Sequence, residues 1–510
     1  MAYKKAFAAS KLTPVLLGLA FSVGGIEALS SNLTDLRPIL TDPSISWASD
    51  TVISFQGSDE FLNATERWTV FRPPSYTAAV SPASEQDVRQ VLTVLRVKLA
   101  TSRNIPFLAS GGRHGYTTTL GDLQNGLAID LSQLKRLELN TTAQTITVGA
   151  GITIGEVFDP LYEAGFEIQT GTCPCPSLIG VTLGGGVGRF QGVYGLVLDA
   201  LLSVNMVTAK GDLIEVSKES YSDLFWGLRG AGANFGIVTS ATYQVQPLAN
   251  NGDVLMAEFI FPANQSLDFF ETVQSLNDRL PAELASISII GWNSTTNETQ
   301  LSVNWVYLGP EEEGRRALKP FTDLNPPVSS IEVLKYNRIV AETFGGIVES
   351  VCQGNIIRDL YSLNLKSYSA ASYQESFGKM AEFFEQYPGG RNSILQFEFF
   401  PNQAMAAVAQ EETAWPWRDA TGYINPNMLW DEGDDETATA AMALGQELRR
   451  DLAATSGYPE LSVFLNYARG DEKIEQIYGK EKLPRLAKLK KTWDPSHRFS
   501  FNNGLPTKYP

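Results

Sequence analysis

Histidine and cysteine are the scarce residues of this 510-residue chain, with two of the first and three of the second. A structural zinc site alone takes four imidazoles or thiols, nearly all of the five this chain owns, which argues against metal ligation. Three cysteines, Cys173, Cys175 and Cys352, cannot staple a scaffold, and their odd number leaves a thiol without a disulfide partner. Basic charge is also short: 40 Lys and Arg face 56 Asp and Glu, for a net charge of -16. A basic face for nucleic acid or an anionic membrane is hard to assemble from that balance. Long apolar runs are missing too. Thr13 to Gly25 is apolar, but it is too short to cross a bilayer.

That short run follows Lys4, Lys5 and Lys11 and precedes Ala28, the pattern of a signal peptide over residues 1–28. Six N-x-[ST] sequons, at Asn32, Asn63, Asn140, Asn264, Asn293 and Asn297, agree with a secretory route. The expected mature protein is a secreted glycoprotein with no membrane segment.

Hydrophobic residues make up 43% and charged residues 19%, the balance of a globular chain long enough for two or three domains. Pro82 to Leu99 places Val88, Val91, Leu92, Val94 and Leu95 at helical spacing. Short strands are expected at 105–108, 126–131 and 144–148, and a helix over Ile154 to Ala164 ending at Gly165. Beyond Pro247 the composition shifts. Runs 254–261, 287–292, 301–308 and 394–400 have strand composition, and 375–387 and 436–454 have helical periodicity. The expected fold class is α+β, with a second domain built on an antiparallel sheet covered by helices on one face.

Two segments concentrate glycine. Ser110-Gly111-Gly112-Arg113-His114-Gly115-Tyr116 follows a strand, and Leu183-Gly184-Gly185-Gly186-Val187-Gly188 is the second. Adjacent glycines let backbone N–H groups approach an anion closely, as a pyrophosphate cradle needs. Neither is the dinucleotide fingerprint of a Rossmann unit, and a tight turn is the commoner use of such clusters. One of the two histidines, His114, lies inside the first loop. Cys173 and Cys175 stand in Gly171-Thr172-Cys173-Pro174-Cys175-Pro176, before the second. A thiol spent on a cofactor would explain the odd cysteine count.

These residues resemble the berberine-bridge-enzyme-like oxidases of the vanillyl-alcohol-oxidase, or PCMH-type, flavoprotein superfamily. The resemblance covers nearly all of the mature chain. Arg72-Pro73 with Ala78 to Pro82, the loop Gly112 to Tyr116, the G-x-C segment at Cys173, Asp223 to Gly230 and Asn234 to Thr239 carry it in the first half. Thr413 to Arg418, Asn466-Tyr467, Tyr478-Gly479, Trp493-Asp494-Pro495 and Asn502 to Pro506 carry it in the second. The family implies a two-part FAD-binding domain over 60–248, a substrate domain over 249–460, and a C-terminal module over 461–510 that returns to the FAD domain. It implies FAD joined through His114 to the flavin 8α-methyl and through Cys173 to C6. Spacing to Gly184-Gly185-Gly186 favours Cys173 over Cys175. Gly111, Gly112, Arg113, Gly115, Gly184, Gly185, Gly188, Gly236, Val238 and Asn503 complete the expected cofactor contacts. Three departures stand out: Arg113 inside the histidine loop, Val181 where several members carry His, and Phe464 in place of the first Tyr of a Y-x-N-Y strand. An R-H-G loop looks most like fungal members acting in secondary metabolism.

In such oxidases a hydride passes from a small-molecule substrate to the flavin, and O2 restores the flavin with release of hydrogen peroxide. Oxidation is coupled to ring closure in some relatives. A base must take the substrate's proton. Tyr467, on the strand expected to face the flavin, is the first candidate, given a neighbouring charge that lowers its pKa. Glu398, sharing a strand face with Gln396, is the second, although a solvent-facing carboxylate is the commoner outcome there. A core tyrosine is the ordinary alternative for Tyr467, and His497 reads as structural. Two other functions stay open: a carbohydrate oxidase acting at an anomeric carbon, and a flavin-binding protein without turnover.

Overall fold

Alternation of apolar and polar residues builds the sheet that carries one wall of the site. A computed structural model describes residues 35–97, 105–277, 279–346 and 351–510. The expected signal peptide, the Asn32 sequon and Leu99 lie outside the described residues. Asn63, Asn140, Asn264 and Asn297 are exposed.

The strands expected beyond Pro247 form at Asp253–Pro262, Leu284–Asn293, Glu298–Tyr307 and Ile394–Phe399. They join an eight-stranded antiparallel sheet with Val328–Lys335 at one edge and Arg358–Leu360 at the other. Period-two side chains divide its faces. Ala257, Phe259, Phe261, Val303, Trp305, Leu395, Phe397 and Phe399 enter one core with the buried faces of helices Ser266–Ser275, Ala370–Gln386 and Asp435–Ala453. Glu258, Ile260, Ile289, Ser302, Ile394 and Gln396 line a cavity on the opposite face.

Two smaller sheets stand in the first half. Val52–Phe55, Tyr76–Ser81, Gly126–Asp130 and Phe107–Ser110 form one, with the pairings to Gly126–Asp130 parallel. Leu137–Asn140, Thr145–Gly149, Gly236–Gln244, Leu201–Thr208 and Leu213–Ser217 form an antiparallel second. Helix Glu85–Val97 buries Val88, Val91, Leu92 and Leu95. Helix Ile154–Glu163 begins at a Thr153/Glu156 capping box, which satisfies two otherwise orphaned N–H donors. The C-terminus returns to this half. The buried Lys490 ammonium donates to Asp494 at 2.7 Å and to the carbonyls of Asn234 and Phe499.

One element differs from expectation. Residues 465–467 form a 3-10 turn, Leu465–Tyr467, and not a strand. The Tyr467 amide bonds back to the Phe464 carbonyl at 2.9 Å, so the chain coils before any ladder can form. The turn is what brings Tyr467 toward the sheet.

Candidate active site

A cavity of about 1190 Å3 lies between the glycine-rich loops and the inner face of the large sheet. Small-molecule pockets usually span about 300–1,000 Å3, so this one has room for a dinucleotide and a substrate together. Ser110 to Thr117, Gly171 to Pro174, Gly184, Gly236, Val238 and Phe499 to Asn502 line it on the loop side. The loops meet closely. A Cβ at Gly112 would stand 2.6 Å from the Ser177 amide nitrogen, so the first loop can press on the chain at Cys175 to Ser177 only as glycine.

His114 and Cys173 come together at this junction, with Nε2 3.9 Å from Sγ. The His114 ring stacks on Trp68 at 4.2 Å between centroids. Burial, reinforced by the Arg358 charge, pushes its pKa down to about 3, so the imidazole is neutral and can act as a nucleophile. Burial pushes the Cys173 thiol up to about 11, against the pull of the Cys175 amide and Arg358. Cys175 is disulfide-bonded to Cys352, which leaves Cys173 as the free thiol. His114, Cys173 and Cys175 also cluster as metal ligands would, yet the disulfide consumes one of those three donors.

The remaining expected cofactor residues divide. Gly111, Gly112, Gly115, Gly184, Gly236 and Val238 line the cavity, while Gly185, Gly188 and Asn503 stand behind its wall. Asn503 accepts from Thr117 at 3.3 Å, and its neighbour Asn502 faces the space instead. Arg113 takes a left-handed backbone (φ 52°) and turns its guanidinium to Asp130 and the Glu66 carbonyl. Its contribution to the cavity is therefore chiefly its backbone.

Tyr467 and Glu398 form the second cluster. The Tyr467 hydroxyl donates to both Glu398 carboxylate oxygens, at 3.0 and 3.2 Å. Tyr467 lines the cavity; Glu398 stands behind it, 1% exposed, and is not solvent-facing. Packing of the Leu465–Tyr467 turn onto strand Ile394–Phe399 buries it, which periodicity in that strand cannot foretell. Gln396 donates to Glu398 at 2.8 Å, as their shared strand face requires. Burial raises the Glu398 pKa to about 7 despite the Tyr467 and Gln396 bonds and the Arg189 charge. The Tyr467 phenol moves well above its usual 10 through burial and the Glu398 charge. The sequence had called for a neighbour that lowers it; the neighbour present is a carboxylate, and it raises it.

Trp68, Tyr116 and Arg358 escaped the sequence reading as site residues. Tyr116 lies in the histidine loop and its ring is 6.5 Å from that of Tyr467, linking the two clusters. Position in the loop was its available signal; Trp68 and Arg358 had none.

Residues 76–217 match the family described as FAD binding domain, and residues 463–506 the family described as berberine and berberine like. The FAD-linked oxidoreductase fogF of Aspergillus ruber is 46% identical over 93% of this chain and 95% of its own. This chain belongs to the berberine-bridge-like FAD-linked oxidoreductases. The oxidoreductase srdI of Neurospora crassa is 44% identical, over 97% of this chain and 99% of its own. The fold is that of solved berberine-bridge-like and PCMH-type oxidases. Physcomitrella patens BBE-like 1 superposes with TM-score 0.80 at 23% identity, covering 94% of this chain and 100% of its own. A chitooligosaccharide oxidase superposes with TM-score 0.77 at 21% identity, covering 90% and 98%. This berberine-bridge-like enzyme therefore binds FAD, and the cavity at the glycine loops has the volume and the glycine lining such a group would need. Among the described residues no helix is long and apolar enough to cross a membrane.

Proposed function

We propose that this enzyme oxidises a small, largely apolar metabolite, with FAD held covalently at His114 and Cys173 and with Tyr467 and Glu398 moving the substrate's proton. The observation that carries the reading is the Tyr467–Glu398 pair at the cavity wall. Bound FAD supplies a two-electron hydride acceptor, which O2 restores with release of hydrogen peroxide. The chain's own residues do the rest. A substrate O–H or N–H meets the Tyr467 oxygen. As the phenol passes its proton to Glu398, it can take the substrate's proton in the same movement. A buried carboxyl poised near pH 7 suits that task better than a phenol alone. Gln396 fixes the carboxylate's orientation, and Arg189, fully buried nearby, favours its ionised form.

At the substrate end Ile260, Ile287, Ile289, Val328 and Leu429 stand beside Gln300, Ser302, Gln396, Asn425 and Asn427. The aliphatic side chains would pack the apolar body of a metabolite, and the amides among them would bond its few polar groups. Secondary metabolism, with or without coupled ring closure, is the setting this supports. Similarity to fungal oxidoreductases over nearly the whole chain supports it further. We place the FAD-binding part at 60–248, the substrate part at 249–460 and the returning module at 461–510. The sequons and the Cys175–Cys352 disulfide support an oxidising, secretory location.

Anaerobic mixing tests the reading. Apolar alcohols should bleach the flavin absorbance, and oligosaccharides should not. Bleaching by sugars alone would move the assignment to a carbohydrate oxidase. No bleaching by any member of either panel would favour a binder without turnover.

A further inference from the structure

We propose that Arg358 is a positioning residue for flavin attachment, its buried charge preparing both His114 and Cys173 to act as nucleophiles. The inference rests on the reading of those two residues as attachment points.

Arg358 opens the edge strand Arg358–Leu360 of the large sheet, lines the cavity and is 4% exposed. Its guanidinium lies 4.3 Å over the Trp68 ring, and Trp68 in turn stacks on His114. Its Nη1 donates to the Trp68 carbonyl. No ion pair of Arg358 with an acid occurs among the described residues. The adjacent Asp359 is taken by Arg469 at 2.7 Å and by the Tyr361 hydroxyl. With no acid paired to it among the described residues, the buried Arg358 cation carries a desolvation cost. Such a charge points to a use in the cavity it faces.

The groups around the two nucleophiles are few. The charges of Arg358 and Arg67 act on His114, and the Arg67 Nη2 donates to the Gly115 carbonyl at 2.5 Å. Cys173 Sγ lies 3.9 Å from His114 Nε2 and 3.5 Å from the disulfide-bonded Cys175 Sγ, and it is coupled by charge to Arg358 and Tyr467. Among the described residues no carboxylate is among the groups acting on His114 or Cys173. A positive charge here opposes protonation of the imidazole and favours ionisation of the thiol, and both displacements run in the reactive direction. The thiol depends on it more, because burial alone already holds the proton on sulfur.

Each attachment replaces an N–H or S–H bond and one flavin C–H bond by an N–C or S–C bond. The two hydrogens, with their two electrons, pass to O2, the oxidant required, and leave as hydrogen peroxide.

Arg358→Gln and Arg358→Lys proteins, purified with their bound FAD, test this. Acid precipitation reports flavin that stays with the chain, and peptide mass spectrometry reports each link separately. Wild type should carry both links. Arg358→Gln should retain non-covalent FAD but show at least about tenfold less Cys173 thioether near pH 7, with the link completing on aerobic incubation toward about pH 9. Arg358→Lys should keep both links. A Gln variant linked to the wild-type extent, with no pH response, overturns the proposal. Should the Gln variant fail to fold, the Lys variant decides: one that folds, binds FAD and leaves Cys173 unlinked overturns it equally. A wild type that loses all flavin on denaturation refutes the attachment reading itself, before Arg358 enters.

Discussion

At the scale of single residues, the chemistry turns on one hydroxyl and one carboxyl. Tyr467→Phe removes the proton carrier and leaves the ring, so flavin reduction should slow by about 10²–10⁴-fold with FAD still bound. Stopped-flow bleaching would measure it, and a near-wild-type rate would remove Tyr467 from the mechanism. Glu398 acts when ionised, so activity should rise with pH through about 7, and Glu398→Gln should abolish that limb. Stability should run the opposite way. The folded pKa of Glu398, about 7, exceeds its ordinary 4.5. Its contribution is therefore complete below about 4.5 and is lost as pH rises through about 7. Thermal melts across that window should fall more steeply for wild type than for Glu398→Gln. His114 was legible in the sequence because histidine is scarce and sits in a glycine loop. Arg358 was not: Arg358-Asp359-Leu360 carries no motif, and its partner Trp68 is 290 residues away.

At the scale of elements, the strands and helices followed their patterns closely, because period-two and helical spacing record which face is buried. The Leu465–Tyr467 turn did not, since its shape depends on a single backbone bond and on the sheet it meets. The second glycine segment shows the same dependence. Gly185 has φ +144°, and a Cβ there would stand 2.3 Å from the Trp415 ring. Gly185→Ala should cost at least roughly 1–3 kcal/mol from strain and overpacking together. A clearly lowered melting temperature would bear this out, and an unchanged one would show that Trp415 can move. In the sequence Gly185 looked like a cofactor contact; in the fold it is a seat for Trp415, behind the cavity wall.

At the scale of the whole molecule, Cys175–Cys352 ties the Gly171–Pro176 segment to a chain position 177 residues on. Loss of a disulfide commonly costs roughly 2–4 kcal/mol, more for long loops. Cys352→Ser should therefore melt below wild type, and reductant should bring wild type down to the variant. Equal melting of the two proteins in oxidising buffer would show that the bond contributes little. The sequence by itself determined the element pattern, the flavin family and the two residue types at the loop junction. Local spacing and scarcity are properties of the chain in one dimension. Folding in three dimensions sets which thiol stays free, that Glu398 is buried behind Tyr467, and that Arg358, paired with no acid among the described residues, lies over the Trp68 ring that stacks on His114. Those facts depend on contacts between distant segments, where burial and charge set the chemistry and spacing along the chain carries no record of them.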